Sequence, residues 1–210
     1  MQIGIIGSGN VGGTLGKRWA KNGHNVTFSS RDPKSAKMTS VMADAGTTAR
    51  ADSVAAAAKA SDVILLATPW PATKSAIASA ADLSGKLLID ATNPLLPDLS
   101  GLEVGSTSSG AEQVAGWAPG ARVVKAFNTV GFNVMANPQF DGRRAVMFYC
   151  GDDADAKRTV GQLASELGFD AQDAGPLKQA RLLEPFALLW ITFALVQGYG
   201  RDYAFQLIKR

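Results

Sequence analysis

Gly7, Gly9 and Gly12 stand in the spacing GxGxxG, and their surroundings constrain the fold more than any other feature of the chain. The apolar run Gln2 to Ile6 precedes them and reads as a strand. A helical pattern through Leu15, Trp19 and Ala20 follows, stopped by Gly23 before a second strand at Asn25 to Ser29. Strand, glycine turn, helix and returning strand form a βαβ unit of the kind that binds a dinucleotide. Gly7 permits the tight turn, Gly9 lets a pyrophosphate approach the backbone, and Gly12 lets helix and strand pack closely, while the helix dipole favours the anion.

The same alternation continues. Short apolar runs at Val63 to Ala67, Lys86 to Asp90, Arg122 to Phe127, Ala145 to Cys150 and Phe169 to Asp173 read as further strands. Between them lie an alanine-rich helix begun near Asp52 and ended at Ser61-Asp62, a helix with Ser109 and Glu112 as a capping box, and one capped by Asp152 or Asp153 that ends at Gly168. The pattern predicts an α/β fold: a Rossmann-like, doubly wound, mostly parallel sheet over residues 1–175. Residues 176–210 carry no further strand signal and read as a short C-terminal helical part. Between Phe186 and Val196 this helix is apolar on most sides, so it needs a second burying surface; a partner subunit, and hence a homodimer, is expected.

The end of the second strand bears on which nucleotide is held. An NAD site usually places Asp or Glu there to hold the ribose 2′-hydroxyl. Here Ser29, Ser30 and Arg31 come first, with Lys34 and Ser35 close behind, and no carboxylate precedes Asp32. Two hydroxyls and a guanidinium suit a 2′-phosphate, so NADP(H) is expected over NAD(H). Three further segments follow strands: Thr68-Pro69-Trp70, Thr92-Asn93-Pro94 and Asn128-Thr129-Val130-Gly131. In an open parallel sheet the ligand crevice lies at the carboxyl ends of the strands, so these segments are expected to line the cofactor.

Composition narrows the chemistry. The 210 residues are 46% hydrophobic and 19% charged, with a formal net charge of +3. The charges are scattered, so no nucleic-acid partner is expected. One cysteine, Cys150, and one histidine, His24, exclude a disulfide or a Cys/His zinc cluster, and no metal site is expected. With no charged n-region ahead of an apolar core at the N-terminus, and the greasy stretch Leu182 to Val196 interrupted by Glu184 and Pro185, neither a secretory signal nor a membrane span is expected; a cytoplasmic setting follows. His24 falls in the turn opposite the crevice, Lys125 inside a strand and Cys150 at the end of one, and all three read as structural. No side chain is cast as a catalytic acid or base, because hydride transfer between two aligned rings needs none.

Taken together, Ile5 to Gly12, Ser29 to Pro33, Lys125 to Thr129 and Ala174 to Leu177 resemble the NADP-dependent coenzyme F420 oxidoreductases and the cytosolic reductase domain of the six-transmembrane metalloreductases. The resemblance implies a Rossmann domain with a small helical appendage, usually dimeric. It also implies direct hydride exchange between NADPH and a diffusible deazaflavin (coenzyme F420) or flavin (FMN or FAD) as electron acceptor or donor. It places Ser8, Asn10 and Val11 at the pyrophosphate, Ser29, Ser30 and Arg31 at the 2′-phosphate, Thr68, Pro69 and Asn93 along the cofactor, and Asn128 and Thr129 near the nicotinamide. Phe132 and the segment Leu177 to Trp190 are the acceptor-side candidates. Two other readings stay open: an NADPH-dependent imine or 3-hydroxy acid reductase, and an NADPH-binding sensor without turnover.

Overall fold

The computed structural model describes residues 1–208 and 210. Its elements, in chain order, are β1 (Gln2–Ile6), α1 (Asn10–Lys21), β2 (Asn25–Ser29), α2 (Ala36–Ala45), β3 (Ala49–Asp52), α3 (Val54–Lys59), β4 (Val63–Leu66), α4 (Trp70–Ser79), β5 (Leu87–Asp90), α5 (Gly110–Trp117), β6 (Arg122–Lys125), α6 (Phe132–Ala136), β7 (Gln139–Phe140), β8 (Arg143–Arg144), β9 (Val146–Gly151), α7 (Ala154–Glu166), β10 (Asp170–Asp173) and α8 (Ala180–Ile191). A short 3-10 turn, Leu177–Gln179, leads into α8, and a π-helical turn, Thr192–Val196, continues it.

Eight strands make one sheet in the order β10-β9-β6-β5-β4-β1-β2-β3. Neighbours run parallel except β6 and β9, which pair antiparallel through Val124↔Gly151 and Lys125↔Cys150. This is the mostly parallel, doubly wound sheet that the strand-helix alternation predicts. The order reverses between β1 and β4, so the crevice at their carboxyl ends is the place where an open sheet of this kind takes a ligand. β7 and β8 form a small separate hairpin.

The strand sequences follow from burial on both faces. β4 reads Val-Ile-Leu-Leu with every residue buried. Val63 and Leu65 join Trp19, Phe28 and Phe169 on one face, whereas Ile64 and Leu66 join Trp70, Val114 and Leu183 on the other, as the two-residue side-chain period requires. The far end of α1 is tied to late parts of the chain. Arg18 Nη1 donates to the carbonyls of Met135 and Leu167 at 2.9 and 2.8 Å, and Trp19 Nε1 to that of Leu163 at 3.3 Å.

Three sequence expectations are corrected. β3 was not anticipated: Ala-Arg-Ala-Asp lacks β-branched residues and is held by pairing with β2 and by the 2.9 Å bond from Arg50 Nε to Thr27 Oγ1. Asp52 therefore ends a strand, and the alanine-rich helix starts later, with Ser53 capping Ala56 N at 3.2 Å. Among the described residues beyond Val196 the chain is no longer helical: glycines with positive φ at 198 and 200 turn it back, and the Val146 amide donates to the Phe205 carbonyl at 3.0 Å. Separately, the stretch Leu177–Val196 runs 20 residues and holds an 18-residue window with a mean hydropathy of 1.3, long and apolar enough by those two measures to cross a membrane. Two of its charged members are engaged with the domain, Arg181 with Glu112 and Glu184 with Lys125.

Candidate nucleotide cleft and the network beneath it

A cleft of about 710 Å³ opens at the carboxyl ends of β1, β2 and β4, within the size range of small-molecule and cofactor sites. Its floor is the loop Gly7–Gly9. Gly7 has φ +100°, and a Cβ there would lie 2.5 Å from the Ala67 carbonyl oxygen; a Cβ on Gly12 would lie 2.2 Å from the Gly7 carbonyl oxygen. Both positions admit only glycine without backbone movement. A Cβ on Gly9 would meet nothing within 4 Å, so the backbone there is open to a ligand in the way the motif predicts. Asn10 and Val11 open α1 behind Gly9, at the positive end of its dipole.

Ser8 joins this loop to the next strand: its Oγ donates to the Ser29 carbonyl at 2.8 Å. Past Ser29 the chain folds into a tight hydroxyl-braced turn. Ser30 N donates to the Asp52 carbonyl at 2.9 Å, Ser30 Oγ to the Asp32 carbonyl at 2.9 Å and Ser35 Oγ to the same carbonyl at 2.9 Å. Asp32 Oδ1 accepts from Lys34 N at 3.1 Å. Arg31 is exposed on this turn and, among the described residues, forms no ion pair.

Of the residues singled out in sequence, Gly7, Ser8, Gly9, Ser29, Ser30, Arg31, Thr68 and Pro69 line the cleft together. Lys34 lies on the exposed side of the same turn. Trp70 does not face the cleft: its ring is buried and packs at 5.3 Å against Trp117 on the opposite face, because the first turn of α4 directs it toward α5. Ser35, close behind Arg31 in the sequence, lines the cleft too, and the structure adds Asp32 and Met38 on one side, Val54 from α3, and Ala72, Ser75, Ala76 and Ser79 on the other. The last four are small residues spaced three, one and three apart, a helical face that the sequence displays.

Asn93, Asn128 and Thr129 form a separate group at the ends of β5 and β6. Asn93 Nδ2 donates to the Asn128 carbonyl at 2.9 Å, and Asn128 Nδ2 donates to Asn93 Oδ1 and to the Leu183 carbonyl, each at 3.1 Å. Two backbone carbonyls thus fix both amides, since flipping either would set oxygen against oxygen. Asn128 and Thr129 are buried.

Directly below this pair sits a charge cluster that sequence reading treated only as one structural lysine. Lys125 Nζ donates to Asp90 Oδ2 at 2.9 Å, to the Thr92 carbonyl at 2.7 Å and lies 2.9 Å from Glu184 Oε1, with all three side chains sealed from water. Burial pulls the ammonium's pKa down, but Asp90 and Glu184 more than offset it, so the net shift is upward. Asp90 Oδ1 accepts from Thr92 N and Thr92 Oγ1, and Glu184 accepts from Gly110 N at 2.8 Å and Ala111 N at 3.0 Å, capping α5. Cys150, next to this cluster, is buried and its thiol is pushed up to about 12, first by desolvation. His24 is far from the crevice, at the start of β2, bonded to the Met1 amine and to Glu166.

The sheet order, the glycine loop and the cleft define a Rossmann-type dinucleotide-binding protein. The chain matches, over residues 2–94, the family described as NADP oxidoreductase, coenzyme F420-dependent. It is 33% identical over 190 residues to the metalloreductase STEAP3 of Rattus norvegicus, covering 89% of this chain and 36% of that protein. To the human metalloreductase STEAP2 it is 29% identical over 191 residues, 90% of this chain and 36% of the relative. The chain therefore spans little more than a third of the length of these curated relatives. Among solved structures, a candidate F420-dependent NADP-reductase from Arthrobacter sp. FB24 superposes with a TM-score of 0.90 at 29% identity, covering all of both chains. A reductive aminase from Aspergillus terreus shares the fold over 94% of this chain and 62% of its own, with a TM-score of 0.68 at 22% identity.

Proposed function

We propose that the chain binds NADP(H) in this cleft and passes hydride between it and a deazaflavin or flavin. The observation that carries the reading is the Ser29-Ser30-Arg31 corner, built by a strand end and a hydroxyl-braced turn, with an exposed guanidinium at the rim of a cleft whose floor is the glycine loop. The residues fit the nucleotide: an open backbone at Gly9 and the α1 N-terminus for the pyrophosphate, and Ser29, Ser30 and Arg31 for the 2′-phosphate. Lys34 adds a second positive charge on that side. The Asp32 carboxylate, which would repel the phosphate, has one oxygen engaged by the Lys34 amide.

When bound, the nucleotide supplies two electrons and a proton as hydride, which a deazaflavin or flavin takes up together with one proton from water. The protein's part is to orient the rings and exclude water. Thr68 and Pro69 flank the path from the pyrophosphate, and Asn93, Asn128 and Thr129 hold the nicotinamide side. The acceptor lies toward Phe132 and α8, where the Trp190 ring packs so closely on Gly131 that a Cβ there would stand 2.7 Å from it. The Arg201 guanidinium stands 5.9 Å from the Phe132 ring and offers a positive charge to an anionic acceptor.

The protein acts as a homodimer in the cytoplasm in this reading. Leu182 and Leu189 are 66% and 45% exposed; seven residues apart, they fall on one side of α8 and give it the apolar stripe of a helix-helix contact.

The test is to mix purified protein with NADPH and, separately, F420, FMN, FAD and pyrroline-5-carboxylate, and to follow loss of the nicotinamide absorbance. Oxidation with the deazaflavin or a flavin supports the reading. Oxidation with the imine alone replaces it by an imine reductase, and tight NADPH binding without oxidation by any partner replaces it by a sensor.

A further inference from the structure

The Asp90–Lys125–Glu184 cluster has an unbalanced charge: two carboxylates face one ammonium. Every carboxylate oxygen meets a donor. Asp90 Oδ1 takes the Thr92 amide and hydroxyl, Asp90 Oδ2 and Glu184 Oε1 take Lys125 Nζ, Glu184 Oε1 also takes Ala111 N, and Glu184 Oε2 takes Gly110 N. Each carboxylate oxygen accepts and none is placed to donate, and the formal charge of the three side chains is −1. The N-terminus of α5 offsets about half a charge, which leaves a negative residue inside a medium that screens poorly.

Replacing a buried ion triad with apolar side chains is often neutral or stabilising, so fold stability alone gives little reason for this one. Its position suggests another. The Thr92 carbonyl that receives Lys125 precedes Asn93, and Asn93 is bonded to Asn128. The charge therefore lies immediately beneath the amide pair that faces the nicotinamide in the function proposed above, on which this inference rests. The oxidised nicotinamide ring carries a positive charge and the reduced ring carries none.

We propose that the excess negative charge of the Asp90–Lys125–Glu184 cluster tilts the site toward the oxidised nucleotide, so that Asp90 and Glu184 are positioning residues that promote hydride donation from the bound nucleotide. The charge acts through the Thr92-Asn93 turn and Asn128, without touching the ring. It favours the cationic form, and the favour grows as the ring loses hydride, which is where electrostatic preorganisation accelerates a reaction.

The experiment measures dissociation constants of NADP⁺ and NADPH by tryptophan fluorescence, with no acceptor present and hence no turnover, for wild type, Glu184→Gln and Asp90→Asn. Circular dichroism identifies the folded variants, and either one suffices. The expected result is that Kd(NADP⁺)/Kd(NADPH) rises by about three- to tenfold in each folded variant, a tenfold change being an upward shift of about 30 mV in the bound couple. A merely structural role weakens both forms by the same factor, and that result, with the ratio unmoved, overturns the inference while leaving the proposed function standing. Wild type that binds neither nucleotide overturns both.

Discussion

Ser8 Oγ reaches the Ser29 carbonyl at 2.8 Å, so the glycine loop and the end of the second strand form one unit, and in the proposed function this one side chain sets the separation of the pyrophosphate and ribose subsites. Ser8→Ala removes one neutral hydrogen bond, worth about 1 kcal/mol net. The substitution is expected to weaken NADPH and NADH alike, by about fivefold, because the bond sets spacing and does not read the phosphate. Fluorescence titration with both nucleotides checks this; a loss confined to NADPH would assign Ser8 to the 2′-phosphate instead.

Arg31→Ala is expected to separate the two nucleotides. A charge-assisted bond to a phosphate contributes about 1.5 to 3 kcal/mol, and the exposure of Arg31 sets the effect at the lower end. NADPH affinity should fall about tenfold with NADH nearly unchanged, and the difference should shrink at high salt. Equal losses would remove Arg31 from the phosphate site.

Gly12→Ala places a methyl 2.2 Å from the Gly7 carbonyl oxygen, and neither backbone can yield without opening the loop. Both nucleotides should bind at least tenfold more weakly and the melting temperature should drop, overpacking of this kind costing about 1 to 3 kcal/mol. A variant that retains wild-type affinity would show that α1 can slide away from β1.

Glu112 bridges Ser109 and Arg181, accepting from Arg181 Nε at 2.8 Å. The Arg181 hydrogen bond, ahead of smaller contributions, holds its pKa below the usual glutamate value. A depressed carboxylate stabilises the fold at pH values above its unfolded pKa, and that contribution disappears as the pH falls through the lower folded value. Thermal melts of wild type should therefore lose stability on acidification below the ordinary glutamate range, and Glu112→Gln should flatten part of that slope. Parallel curves would mean that the pair is too well solvated to matter.

Cys150 combines complete burial with a thiol pushed up to about 12. It should resist Ellman's reagent in the native protein and react only as fast as the chain unfolds. Rapid modification of native protein would place the thiol outside the core described above.

What could be read in the sequence was what local backbone geometry dictates. The three glycines each satisfy a constraint set within a dozen residues, so their spacing alone told of the turn, the open backbone and the close packing. Ser109 and Asp153 announced their helices for the same reason, each capping an amide three residues on. β3 was illegible because Ala-Arg-Ala-Asp has no strand pattern of its own and exists through its neighbour. Trp70 was misplaced because a residue at a strand end can turn to either side of the sheet, and only α5 decides which. The small face of α4 becomes cleft lining only across the fold from the glycine loop. Asp90 and Lys125 are 35 positions apart, and their meeting with Glu184 depends on how α8 docks.

The clamp on the far end of α1 has a consequence for how the chain is made. Arg18 binds the carbonyls of Met135 and Leu167, 117 and 149 positions away, and the Trp19 indole answers to Leu163. While the first half of the protein leaves the ribosome, the helix behind the glycine loop has neither its hydrogen-bond acceptors nor the cover for its tryptophan. The nucleotide loop, although encoded first, gains its full anchorage only after residues near 167 have emerged, so nascent chains arrested earlier should fail to hold nucleotide.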